Sequence, residues 1–178
     1  MGYKSSGWEM AVSATLHCLT GCAIGEIAGM AIGTAAGFHN AATVALSIAL
    51  AFVFGYGLTS LPLLRAGLAL GVVIPIALAS DTLSIATMEV VDNLVVLAVP
   101  GAIDAGLDAL LFWGSLSFSL AVAFVAAVPV NRALIARGKG HAVVHETGVH
   151  GGPPVRLVGA ATAAMGLFGA TVLIAEAL

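Results

Sequence analysis

The chain has 178 residues, of which 60% are hydrophobic and only 8% charged, with a net charge of −3 and a mean hydropathy of +1.10. Soluble domains carry roughly 25% charged residues, so a water-soluble globule is excluded, and with no basic stripe in the sequence a nucleic-acid partner is excluded too. The apolar mass is Ala, Val, Leu and Gly, which predicts an all-α, polytopic membrane helical bundle in an inner or plasma membrane. An outer-membrane barrel would instead show alternating strands and aromatic girdles.

The opening MGYKSSGWEM is not expected to be a cleavable signal, because the apolar run that follows is too long and contains Glu26. Its first residues match the pattern for N-myristoylation at Gly2, a short pattern on a chain that its composition already anchors in the lipid bilayer. The first predicted span covers about residues 10–37, with Trp8 before it as an interfacial aromatic. About 20 residues suffice to cross the hydrocarbon, so this helix must tilt or project.

Two ridges of that helix differ in chemistry. Steps of four residues advance a side chain by only about 40°, so His17, Gly21, Gly25, Gly29, Gly33 and Gly37 form one slanted line. The neighbouring line carries Cys18, Cys22, Glu26, Met30 and Thr34. Glycine costs roughly 1 kcal/mol against alanine in a soluble helix, whereas in a bilayer a small-residue ridge lets a second helix approach backbone to backbone. The glycines are expected to form a packing spine that brings the third segment close to the cysteine ridge.

A turn at Phe38–Asn40 leads to a second span, about 42–61, uncharged, read as a plain wall helix closed by Pro62. From 66 to 100 the chain is apolar for nearly twice the length of one straight crossing, and it predicts either one long kinked helix or two half-helices meeting between Pro75 and Asp81. The fourth span is about 110–128, ended by Pro129, and the last about 157–174. The connector between them, 131–156, holds four of the six Lys and Arg residues. With the third segment as a single crossing, Lys4, Arg65, Arg132, Arg137, Lys139 and Arg156 fall on one side, which predicts about five transmembrane helices with a cytoplasmic N-terminus.

Ionisable groups at membrane depth cost about 2.5 to 3.5 kcal/mol each on the insertion scale, so Glu26, Asp81, Glu89 and Asp92 imply an interior polar site. On one helix Asp81, Ser84, Met88 and Asp92 share a face, with Glu89 and Asn93 on the adjoining ridge. Thiolates and thioethers select soft metals, and imidazole suits Cu, Zn, Fe and Ni. The candidate metal ligands are therefore Cys18, Cys22, Glu26, His17, Asp81, Met88, Glu89 and Asp92, beside Met30, with copper the first choice of ion and a metal-carrier protein a natural partner. His141, His145 and His150 in the connector are secondary cytoplasmic metal candidates.

Each of these residues has a plainer use. Two cysteines beside a glycine ridge can simply fill a helix interface, and His17 can be a hydrogen-bonded buried histidine. The connector histidines can belong to a mobile basic linker. The acids can share protons in a structural network. Four functional classes remain: a metal permease or binding protein, a redox protein based on thiols or haem, a proton or cation channel using the acids, and an assembly subunit. There is no C-x-x-C-H motif for covalent haem, although His17 and His39 could ligate it non-covalently. Without a P-loop, direct ATP use is not expected. Thin Ala- and Gly-rich helices leave little room in one protomer, which predicts a homo-oligomer.

The blocks His17–Glu26, Asp81–Ile85 with Met88–Glu89 and Asp92–Asn93, and Pro129–Arg132 with Gly138–His141 resemble a family of small bacterial membrane proteins, domain of unknown function 4396. The likeness covers about residues 14–145 and makes the final span an addition to the unit. It implies the membrane location and no particular substrate.

Overall fold

The computed structural model describes residues 7–140, 144 and 155–178. Among these, five helices are long and apolar enough to cross a membrane: α1 Gly7–Ala36, α2 Asn40–Arg65, α3 Leu70–Ala98, α4 Leu110–Ala136 and α5 Val155–Ala177. A single 3₁₀ turn, Ala102–Asp104, sits between α3 and α4, and the described residues contain no strand. The chain is a multi-pass membrane protein. Large apolar side chains such as Val53, Leu83, Val90, Leu94 and Val125 point outward, as helices require when their solvent is lipid.

Each helix ends for a local reason. At the end of α1, Gly37 takes φ +69°, and the Phe38 and Gly37 amides donate to the Gly33 and Thr34 carbonyls. This is a glycine C-cap. His39 then opens α2, its Nδ1 accepting from the Ala42 amide at 3.4 Å. The turn expected at Phe38–Asn40 is therefore present.

The third segment is one continuous helix, which removes the two-half-helix alternative. Pro75 lies within it, in its second turn, and leaves the Gly71 carbonyl without its helical donor. The other two prolines do not close their helices as expected: α2 runs through Pro62 to Arg65, and α4 through Pro129 to Ala136. Transmembrane helices tolerate proline when a neighbour satisfies the carbonyl it frees. A consequence is that Asn131 belongs to α4 and faces the interior at 1% exposure, although the sequence assigns it to the basic connector.

The glycine ridge packs as a spine, but against α2 and not against the third segment. A Cβ added at Gly21 would lie 2.6 Å from the Gly55 Cα, and Cβ atoms at Gly25, Gly29 and Gly33 would collide with Ala51, Ser47 and Thr43. The reason is on α2, whose buried residues Thr43, Ser47, Ala51, Gly55 and Thr59 recur every four positions. Two small-residue ridges at matching pitch let these backbones meet. The ridge is consumed within the protomer. α5 docks on α4 by the same means, with Gly114 against Val172 and Gly169 against the Gly114 carbonyl and Phe118.

Since α1 gives its glycine ridge to α2, its cysteine and acid ridge turns toward α3 and α4. Cys18, Cys22, Ile85, Met88, Leu120 and Phe124 share the resulting core.

Candidate cation site

Three steps link α1 to α3 through the interior. At the deepest, the Cys18 thiol donates to Asp81 Oδ1 at 3.8 Å, both residues fully buried. The hydroxyls of Thr59 and Ser80 lie beside the same carboxylate. At the middle step Cys22 meets Glu89. At the third, the Glu26 and Asp92 carboxyls face each other, with Ser119 of α4 next to Asp92. The stripes read from the sequence on α1 and α3 thus face each other along parallel helices.

Most carboxylate oxygens of the upper two steps have no donor within hydrogen-bond distance among the described residues. Glu26, Glu89 and Asp92 are 6%, 4% and 3% exposed. Both oxygens of Glu26, both of Glu89 and Oδ1 of Asp92 accept no hydrogen bond from any described residue. A carboxylate is an acceptor only, so two that face each other are joined by a shared proton or by a cation. The five described Lys and Arg residues lie at helix ends or in connectors, and in the sequence none falls between Lys4 and Arg65 or between Arg65 and Arg132.

Above these acids lies a cavity of about 230 Å³. It extends from the connectors at Phe38–Asn40 and 102–106 down to Glu26, Glu89 and Asp92, with Met30, Asn93 and Ser115 also lining it. The mouth is held by Asn40, whose Nδ2 donates to Asp104 Oδ1 at 2.6 Å. At roughly 1.5 Å per residue, Glu26 lies about 15 Å from the end of α1 at Ala36, and Asp92 about 9 Å from the end of α3. Cys18 and Asp81 lie more than about 25 Å from the same ends. The cavity therefore stops at the upper acids, and the cysteines and Met88 lie outside its lining.

Beside Cys18 the helices are tied together. Asn131 donates through Nδ2 to Thr15 Oγ1 at 2.8 Å and to Ser84 Oγ at 2.9 Å, joining α4 to α1 and α3 at once. At this basic end the Arg132 guanidinium stacks 4.1 Å from the centre of the Trp8 ring, which accounts for the aromatic at the start of α1.

His17 is not brought to the cysteines. It turns to α2, where its ring hydrogen-bonds the Leu58 backbone. Pro62 has no N–H and therefore leaves the Leu58 carbonyl without its helical donor, so His17 fits the structural role open to it from the sequence. Among the described residues no three His, Cys, Asp or Glu side chains converge as a ready chelate. His141, His145 and His150, like Gly2 and Lys4, lie outside the described residues.

The model of a domain of unknown function, DUF4396, matches residues 7–140. The chain belongs to the DUF4396 family. The match holds α1 to α4 and every residue of the three steps, and leaves α5 outside, as an addition to the family unit. No curated protein and no solved structure matches the chain.

Asn131, Ser119, Thr59 and the small ridge of α2 were not singled out by sequence. The four-residue spacing from Thr43 to Thr59 is a visible signal for the last two. Ser119 has none, because its relevance depends on which face of α4 meets Asp92.

Proposed function

We propose that this DUF4396 protein binds a cation inside the membrane and passes it across as a permease, with Glu26, Glu89 and Asp92 as the first station. The observation that carries the reading is the set of buried carboxylate oxygens at the foot of the cavity that have no donor among the described residues. Intramembrane acids that face an interior and find no basic partner are the usual mark of an ion pathway. In this reading the basic end, with the N-terminus, is cytoplasmic, the membrane is a bacterial plasma membrane, and the cavity loads from the opposite face. Calorimetric titration of the purified protein with a panel of cations tests it. Binding that weakens at least tenfold in Glu26→Gln and in Asp92→Asn is expected, and absence of binding by every cation refutes it.

A second reading keeps a soft metal, copper first, at the deeper steps, with a metal-carrier protein as donor or acceptor. It is supported by Cys22 against Glu89, Cys18 bonded to Asp81, and the fully buried Met88 on the same turn of α3 as Glu89. Elemental analysis separates the two. Copper that co-purifies and is lost in Cys22→Ser supports the second, and a metal-free protein that still binds cations supports the first.

A further inference from the structure

We propose that the cation taken by this cavity is a small organic ammonium, a primary amine on a short apolar body, and not a bare metal ion. The inference rests on the cation-binding reading above and adds the class of substrate. A bare metal ion is held by converging ligands at about 2.0 to 2.6 Å, and it would occupy a small part of the roughly 230 Å³ present. A hydrated ion fills more, since each water takes about 30 Å³, but each of its waters needs about two to four polar partners. Much of the wall cannot supply them: Val44, Val96, Ile103, Phe112 and Leu116 line it above the acids.

The soft donors are elsewhere. Of the sulfur ligands only Met30 lines the cavity, while Cys18, Cys22 and Met88 do not. A primary ammonium uses what is there. Its three N–H donors match carboxylate oxygens that are acceptors only: both of Glu26, both of Glu89 and Oδ1 of Asp92 accept no hydrogen bond from any described residue. Its apolar body lies against the aliphatic wall and Phe112, an arrangement of apolar lining with a few convergent polar groups that is usual for small-molecule sites. An aromatic side chain in the wall adds attraction for the charge.

The test is thermal unfolding of the full-length protein in maltoside micelles free of ethanolamine lipids. The ligands are methyl- to octylammonium, tetramethylammonium, sodium, potassium, magnesium and copper(I). Primary alkylammonium ions are expected to raise the melting temperature by about 3 to 5 °C at ten times their dissociation constant. The effect should grow with chain length, then fall once the chain outgrows the cavity, and tetramethylammonium, which has no N–H, should have none. Val96→Phe, which fills the cavity, and Asp92→Asn are each expected to remove at least nine-tenths of the shift, and Gly57→Ala, at a position with no neighbour within 4 Å, to leave it unchanged. Stabilisation by inorganic cations alone overturns the ammonium class and leaves the cation reading standing. No response to any cation overturns both. An amine response that survives Asp92→Asn, or one obtained only from added phosphatidylethanolamine, also overturns the inference, and the chain-length series in the wild type decides it if Val96→Phe fails to fold.

Discussion

Gly25→Ala is the sharpest test of the packing that turns the polar ridge inward. A Cβ at Gly25 would press on the Ala51 backbone at well under 3.0 Å, where ordinary contact begins at about 3.4 Å. The colliding atoms are backbone, so no side chain can rotate away, and α1 and α2 must separate by roughly 1 Å. A gap of 0.5 to 1 Å forfeits about a quarter to a half of each dispersion contact it opens, and overpacking of this kind costs about 1 to 3 kcal/mol. Alanine returns up to about 1 kcal/mol of helix propensity. The net expectation is a loss of about 1 to 2 kcal/mol, whereas Gly57→Ala, which meets nothing within 4 Å, should be neutral or stabilising. Reversible unfolding in mixed micelles, followed by circular dichroism, measures both. A Gly25→Ala protein as stable as the wild type would refute the backbone contact between the two ridges.

His17 and Pro62 should be coupled. His17→Phe is expected to cost about 1 kcal/mol in the wild type and about half that or less in Pro62→Ala, where the Leu58 carbonyl regains a helical donor; a double-mutant cycle with no coupling contradicts the pairing. Asn131→Leu removes two interhelical hydrogen bonds at about 0.6 kcal/mol each, so a loss of about 1 kcal/mol is expected by the same unfolding assay, against almost none for Asn40→Ala at the exposed mouth. Cys18 and Cys22, 0% and 1% exposed, should resist a membrane-permeant maleimide in the native protein and both react after denaturation; rapid native labelling of either would place it on an open pathway.

The sequence carried the architecture because lipid imposes it. Five apolar runs, the acid stripe from Asp81 to Asp92 and the ridge of Cys18, Cys22 and Glu26 all follow from hydropathy and helical period, and the structure sets the two stripes face to face. The partner of the glycine spine was harder to read. The acids of the third segment drew attention, while the ridge from Thr43 to Thr59, at the same pitch, lay in an uncharged helix that looked featureless. Pro62 and Pro129 read as stops because a proline in water leaves a carbonyl to find its own partner. Inside the bundle a side chain such as His17 can supply one, and the helices continue. Asn131 was hidden by the same effect, since extending α4 beyond Pro129 moves it from a connector to the core. The cavity could not be read at all, because its walls come from four helices and the segment around Asp104.

The central claim is that Glu26, Glu89 and Asp92 receive the cation, and cation-induced infrared difference spectroscopy tests it at the carboxyl groups themselves. Addition of a binding cation should change the protonated-carboxyl and carboxylate bands of the wild type, and the change should shrink in Glu26→Gln and shrink further in Glu26→Gln with Asp92→Asn, where Glu89 alone remains. A wild-type spectrum without carboxyl bands, or bands that persist unchanged in the double variant, would contradict the assignment.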